Sequence, residues 1–273
     1  MGAMASHPRV FDFSSAIVRR PGRSVVHGLT SHSGPAPVFE RIEAEHDAYI
    51  SALRSAHLDV TVLPPLERFP DSVFVEDPAL VFPQVAILLR PGAPTRRAEI
   101  EEIAPELSKR FSSVLRLTEG FADGGDILVT PDCVFIGLSA RTDVAGAADL
   151  QRLLDSLGLV SRVVNVPAGT LHLKSDCSLV DEQTLLATEA LAGSGLLARF
   201  RLLVPPAAEN HACNAIRVND TVFMRAGCPR TAEILQKHGL DVVPLAASEI
   251  AKVDAGLSCM SLRWFDPRRS VPL

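Results

Sequence analysis

Asp254-Ala-Gly-Leu-Ser-Cys-Met-Ser-Leu-Arg-Trp264 is the stretch on which the fold turns. A Gly-Leu-Ser turn leads to Cys259, and a short strand-like run follows. Four earlier segments open in the same hairpin-like manner, near Asp77, Asp126, His172 and Cys213. The successive starts, through to Cys259, are 49, 46, 41 and 46 residues apart. A period in this range marks a propeller or another stacked array of supersecondary units.

Between the hairpins lies a recurring helix followed by a strand. Residues 38–56 show helical spacing, with Phe39, Ile42, His46, Tyr49, Ile50 and Leu53 on one side. Helices are also predicted over 95–111, 144–157 and 231–238, while 190–200 is only loosely helical. The fifth hairpin lacks a second strand, which the unpaired N-terminal run Ser14–Arg20 is able to supply. The expected fold is therefore α/β: five ββαβ units around a central cavity, closed by pairing of the N- and C-terminal strands. Residues 13–266 form one domain in this reading, with 1–12 a disordered N-terminus or cloning scar and 267–273 a tail.

Composition narrows the function. Hydrophobic residues make up 47% of the 273-residue chain, enough for a substantial core, and a net charge of −5 argues against a nucleic-acid partner. No apolar run reaches the length of a membrane span. Five cysteines without CxxC spacing argue against a disulfide framework or structural zinc, so reduced thiols and a cytoplasmic location are expected. The sequence does not fix the oligomeric state and leaves a homodimer open.

Candidate site residues are scattered. Asp71, Glu76 and Asp77 interrupt the apolar, strand-like stretch Phe69–Phe82, and buried carboxylates are costly unless paired with a cation. They read as a pocket wall for something positively charged. In Asp123-Gly-Gly-Asp126 the two glycines allow the backbone to approach a ligand closely. Arg141, at a strand end, suits a carboxylate clamp. Leu29–Pro37 has the Gly/Pro/Ser character of a mobile flap. The fivefold repeat would bring Asp77, Asp126, His172 and Cys259 to similar positions around one cavity, with Cys213 at the matching point of the preceding unit.

Phe69-Pro-Asp-Ser-Val-Phe-Val-Glu-Asp77, Arg90-Pro-Gly-Ala, Asp123-Gly-Gly-Asp126, Ser139-Ala-Arg-Thr142, Leu171-His-Leu-Lys-Ser175 and the Cys259 segment together resemble the dimethylarginine dimethylaminohydrolase family, in the same order. That family has the five-bladed α/β-propeller, or pentein, fold of guanidine-modifying enzymes. The resemblance implies Cys259 as nucleophile, His172 as general acid and base, and Asp123 as the acid orienting the histidine and substrate. It implies Asp77, with Glu76 and Asp71, as holders of the cationic and amino groups, and Arg90 and Arg141 as clamps on the α-carboxylate. Leu29 and Val253 match positions whose backbone meets the substrate. The implied reaction hydrolyses asymmetric dimethyl- and monomethyl-L-arginine to L-citrulline and an amine through a cysteine thiouronium, with no metal or cofactor. A deiminase acting on another guanidine, and a catalytically silent methylarginine-binding pentein, are the alternatives.

Overall fold

The computed structural model describes residues 8–31 and 33–269. Its strands and helices run β1 (Ser15–Arg19), α1 (Phe39–Ser55), β2 (Asp59–Leu63), β3 (Ala79–Val81), β4 (Val85–Leu88), α2 (Glu99–Arg110) and β5 (Ser113–Arg116). They continue with β6 (Ile127–Val129), β7 (Val134–Leu138), α3 (Val144–Ser156), β8 (Ser161–Asn165), β9 (Cys177–Leu179), β10 (Thr184–Ala187), α4 (Glu189–Gly193) and β11 (Arg201–Leu203). The last unit comprises β12 (Ile216–Val218), β13 (Thr221–Arg225), α5 (Pro229–Lys237) and β14 (Asp241–Leu245), before β15 (Leu262–Trp264).

The strands form five three-stranded sheets: β15-β1-β2, β3-β4-β5, β6-β7-β8, β9-β10-β11 and β12-β13-β14. Each pairs its first two strands antiparallel and its last two parallel, the parallel step being made through a helix. The odd sheet is the one that joins the chain ends. Ser15 lies opposite Trp264 and Ile17 opposite Leu262, and β1 then pairs parallel with β2 across α1. This is the five-bladed α/β propeller that the repeat predicts.

The cores lie where one unit meets the next. Ile42, Tyr49 and Leu53 of α1 pack with Ile216, Val218 and Phe223 of the preceding unit. Leu262 and Trp264 pack with Leu88, Ile103 and Leu107 of the following one. Each such fully buried large side chain contributes roughly 2 kcal/mol of hydrophobic stabilisation. Trp264 also meets Phe111 at 5.1 Å between ring centroids, which fastens β15 to the end of α2.

Three local expectations differ from the structure. The helix expected over 95–111 begins as a 3-10 turn at Pro94–Arg96 and becomes α-helical only from Glu99. Phe69–Phe82 is turns rather than strand until Ala79: backbone bonds within the segment close them, Ser72 N to Phe69 O at 3.0 Å and Phe74 N to Asp71 O at 2.9 Å, while Asp71 and Asp77 accept from amides of other segments. Residues 8–12 are not a loose tail: Phe11 is buried, and Arg9 binds Asp12 and Asp220. Residues 1–7 and 270–273 lie outside the described set.

Candidate active site

Four candidate side chains, those of Asp77, Asp123, His172 and Cys259, sit on turns that lead into the first strand of their units. Asp77 precedes β3. Asp123 opens the 3-10 turn Gly124–Asp126 before β6, His172 opens Leu173–Ser175 before β9, and Cys259 lies within Ser258–Met260 before β15. Neighbouring turns are joined by hydrogen bonds. Gly125 N donates to Asp77 Oδ1 at 3.0 Å and Leu173 N to Asp126 Oδ1 at 3.0 Å. Asn214 Nδ2 donates to Lys174 O at 2.8 Å, Ser258 N to Asn214 Oδ1 at 3.0 Å, and Glu76 N to Cys259 O at 3.1 Å. The five junctions make a closed ring, so no site residue is held by its own unit alone.

One small cavity of about 30 Å³ is lined by Leu29, Asp71, Asp77, Arg141, His172, Val253 and Cys259, among others. His172 Nε2 lies 3.1 Å from Asp123 Oδ2, whose Oδ1 accepts from Gly92 N at 2.8 Å. Burial pulls the His172 pKa down, but the hydrogen bond to Asp123 and the charges of Asp77, Asp126 and Asp123 outweigh it and hold it up at about 8. The imidazole is therefore positioned as a proton donor at neutral pH. Cys259 is 9% exposed. Burial first, then the charges of Glu76 and Asp77, push its thiol up to about 12. Any cation that offsets those carboxylates moves the thiol back toward thiolate. Asp77, Asp123 and His172 each offer a donor atom within 4.8 Å of the others. The two carboxylates of that cluster are hydrogen-bond acceptors of the kind that a planar guanidinium pairs with.

The start of the 29–37 segment is tied down on both sides. Leu29 N donates to Asp71 Oδ1 at 2.9 Å, and Thr30 Oγ1 to Lys252 O at 2.8 Å. Ser31 N binds the carboxylate of Asp254, a residue in the left-handed region (φ 54°) five positions before Cys259. Burial raises the Asp71 pKa, against the nearby charge of Arg96 and the Leu29 amide.

Some expected residues stand elsewhere. Arg90 donates to Thr118 O at 2.6 Å and stacks on Phe121; it does not line the cavity. Its motif acts through Gly92 instead, whose amide reaches Asp123 and whose added Cβ would lie 2.4 Å from Arg141 O. Glu76 is occupied by Lys174 Nζ at 2.6 Å and Ser258 Oγ at 2.9 Å, and is not on the cavity wall. The Gly-Gly pair approaches protein rather than ligand: a Cβ on Gly125 would lie 2.6 Å from His172 Nδ1. Sequence reasoning missed Arg96, which lines the cavity and is buried between Asp77 and Glu99. Its position at the start of a helix, among three glutamates by Glu102, was the available signal.

A family model described as "N,N dimethylarginine dimethylhydrolase, eukaryotic" matches residues 36–182. The N(G),N(G)-dimethylarginine dimethylaminohydrolase of Pseudomonas aeruginosa is 40% identical over 92% of this chain and 100% of its own. The chain belongs to the dimethylarginine dimethylaminohydrolase family. The family member from Streptomyces coelicolor is 34% identical over 91% of this chain and 96% of its own. A cysteine-to-serine mutant of the Pseudomonas aeruginosa protein, solved in complex with citrulline, superposes with a TM-score of 0.90, covering 93% of this chain and 100% of that one. Family and fold thus agree with the arrangement of the five turns.

Proposed function

We propose that this chain hydrolyses Nω-methylated L-arginines, asymmetric dimethyl- and monomethyl-arginine, to L-citrulline and dimethylamine or methylamine. The observation that carries the reading is the meeting of Cys259 with His172 at one cavity, the histidine being oriented by Asp123. A guanidinium is a poor electrophile because its charge is spread over three nitrogens. Asp77 and Asp123 would fix its plane and present the central carbon to sulfur, a gain from proximity and orientation. The arriving charge also offsets the carboxylates that keep Cys259 protonated, so substrate helps to ionise its own nucleophile.

Cys259 Sγ then bonds to the guanidine carbon, and His172 gives its proton to the departing amine. The neutral imidazole next takes a proton from water, which attacks the thiouronium and releases citrulline and the thiolate. Arg141, 20% exposed on its side chain, is assigned to the substrate carboxylate, with Asp71 and the backbone at Leu29 and Val253 around the amino-acid end. Arg96 is assigned to holding Asp77. All five cysteines are free, which suits a reducing cytoplasm; no helix among the described residues is long and apolar enough to cross a membrane.

Citrulline formation from asymmetric dimethylarginine, monomethylarginine and unmodified arginine, measured side by side, tests the reading. Turnover of the methylated substrates is expected to dominate. A preference for arginine itself would replace this reading with a deiminase.

A further inference from the structure

A second cavity, of about 180 Å³, reaches Cys259 and His172 from another side. It is about six times larger than the cavity assigned to the amino-acid end, of about 30 Å³. Its wall includes Lys174, His211, Asn214, Arg225 and Ala251. The carboxylates on or near this wall are all engaged by partners other than Arg225. Lys174 is paired with Glu76, and the carboxylate of Asp254 is taken by Thr30 and Ser31. Glu209, near His211 in sequence, accepts from Thr231 N at 2.7 Å and Thr231 Oγ1 at 2.6 Å. Arg225, at the end of β13, has no ion-pair or hydrogen-bond partner for its guanidinium among the described residues. Its backbone is fixed by register with Leu245 of β14, and His211 beside it is held by Cys228, with Nε2 to Sγ at 3.0 Å. Arg225 thus stands on a fixed backbone position and His211 on a bonded ring at the wall of the cavity.

The proposed reaction makes use of such a space. The amine leaves while the guanidine carbon is still bound to Cys259, so it departs past a side that the tethered amino-acid chain does not fill. The leaving nitrogen must also face His172, which borders both cavities. Two methyl groups occupy only a small part of the larger one. An unpaired arginine there is complemented by a carboxylate, whose charge-assisted bonds are stronger than neutral ones.

We propose that this second cavity is a leaving-group chamber, and that through Arg225 it admits guanidines whose departing amine carries a carboxylate arm, the Nω-(carboxyalkyl)-L-arginines. The proposal rests on the hydrolase reading of the same Cys259 site. The Sγ–C bond forms, the C–N bond to the substituted nitrogen breaks, and His172 protonates that nitrogen. Water then displaces sulfur. One water is consumed, L-citrulline and an amino acid are released, and nothing is oxidised or reduced.

The test compares asymmetric dimethylarginine, Nω-(2-carboxyethyl)-L-arginine and the uncharged Nω-propyl-L-arginine, on the full chain and on Arg225→Gln and Arg225→Lys. The unaltered chain is expected to prefer the carboxyethyl over the propyl substrate by at least about tenfold in kcat/KM, the size of one charge-assisted bond. Arg225→Gln should erase that preference, Arg225→Lys should keep part of it, and both should turn over dimethylarginine normally, which also reports that they fold. Turnover of dimethylarginine without turnover of the carboxyethyl substrate overturns the proposal alone, as does a preference that survives Arg225→Gln. Turnover of neither overturns the hydrolase reading with it.

Discussion

Cys213 and Cys259 occupy corresponding places in consecutive units, each on a 3-10 turn that leads to the unit's first strand. Cys213 is 0% exposed and packs with Val180, Leu186 and Met224. Burial, with the neighbouring Cys177, drives its thiol pKa far upward. Cys259 is also buried, yet carboxylates of the next unit face it and two cavities reach it. The repeat supplies a position, and the adjoining unit decides whether that position is chemistry or core.

The largest effect that breaks this comparison is at the proposed nucleophile. Cys259→Ser is expected to lower kcat by roughly a thousandfold or more, since a hydroxyl is a far weaker nucleophile without a stronger base. Cys213→Ser should leave kcat near normal and lower stability by about 1–3 kcal/mol, through a buried hydroxyl in apolar surroundings. Steady-state kinetics with thermal melts on both variants checks the pair, and an adduct trapped on Cys213 would reverse the assignment. Next comes His172→Ala, expected to cost roughly 10²–10⁴ in turnover by removing the proposed general acid.

A smaller break works through packing. Gly125→Ala should push the His172 ring aside and cost on the order of 10²-fold in kcat, as misplacement by about 1 Å does, with KM little changed. The smallest effects separate the arginines. Arg141→Ala should raise KM by roughly tenfold or more, the worth of a charge-assisted bond to the carboxylate. Arg90→Ala should change it by no more than about twofold, as surface substitutions do.

Two histidines sharpen the comparison by pH. His172 has its pKa raised to about 8 from 6.5, so it stabilises the fold fully below pH 6.5 and loses that contribution as pH rises through 8, on the order of 2 kcal/mol in all. Turnover should fall over the same rise if the imidazolium is the proton donor, as proposed. His46, buried in α1, is held down at about 4, first by burial and then by the charge of Arg20. Its contribution is present above pH 6.5 and is lost as pH falls toward 4. Chemical denaturation of His46→Leu against the parent at pH 5 and pH 7.5 should show the smaller pH dependence in the variant.

The architecture was legible because hairpin, helix and strand are local patterns, and five copies reinforced one another. The closing sheet was legible for the same reason: one unit lacked a strand and the N-terminus had one spare. Roles set by distant partners were not. Glu76 looks like a free acid until Lys174, nearly a hundred residues on, is found beside it. Arg90 and Arg96 lie on either side of Pro91-Gly92, and only the backbone path through that turn shows which guanidinium faces the cavity. Asn214, which ties Lys174 to Ser258, carries no chemical signature in sequence.

The sheet next to Cys259 is the one assembled from residues 15–19 and 262–264. During synthesis its last strand follows its first only after nearly all the other described elements have been made, so it joins some of the most sequence-distant parts of the described chain. Contacts of that span are the slowest to form. Cys259 therefore acquires its neighbours only when the circle closes, and a nascent or truncated chain carries no assembled active site with which to act on guanidines.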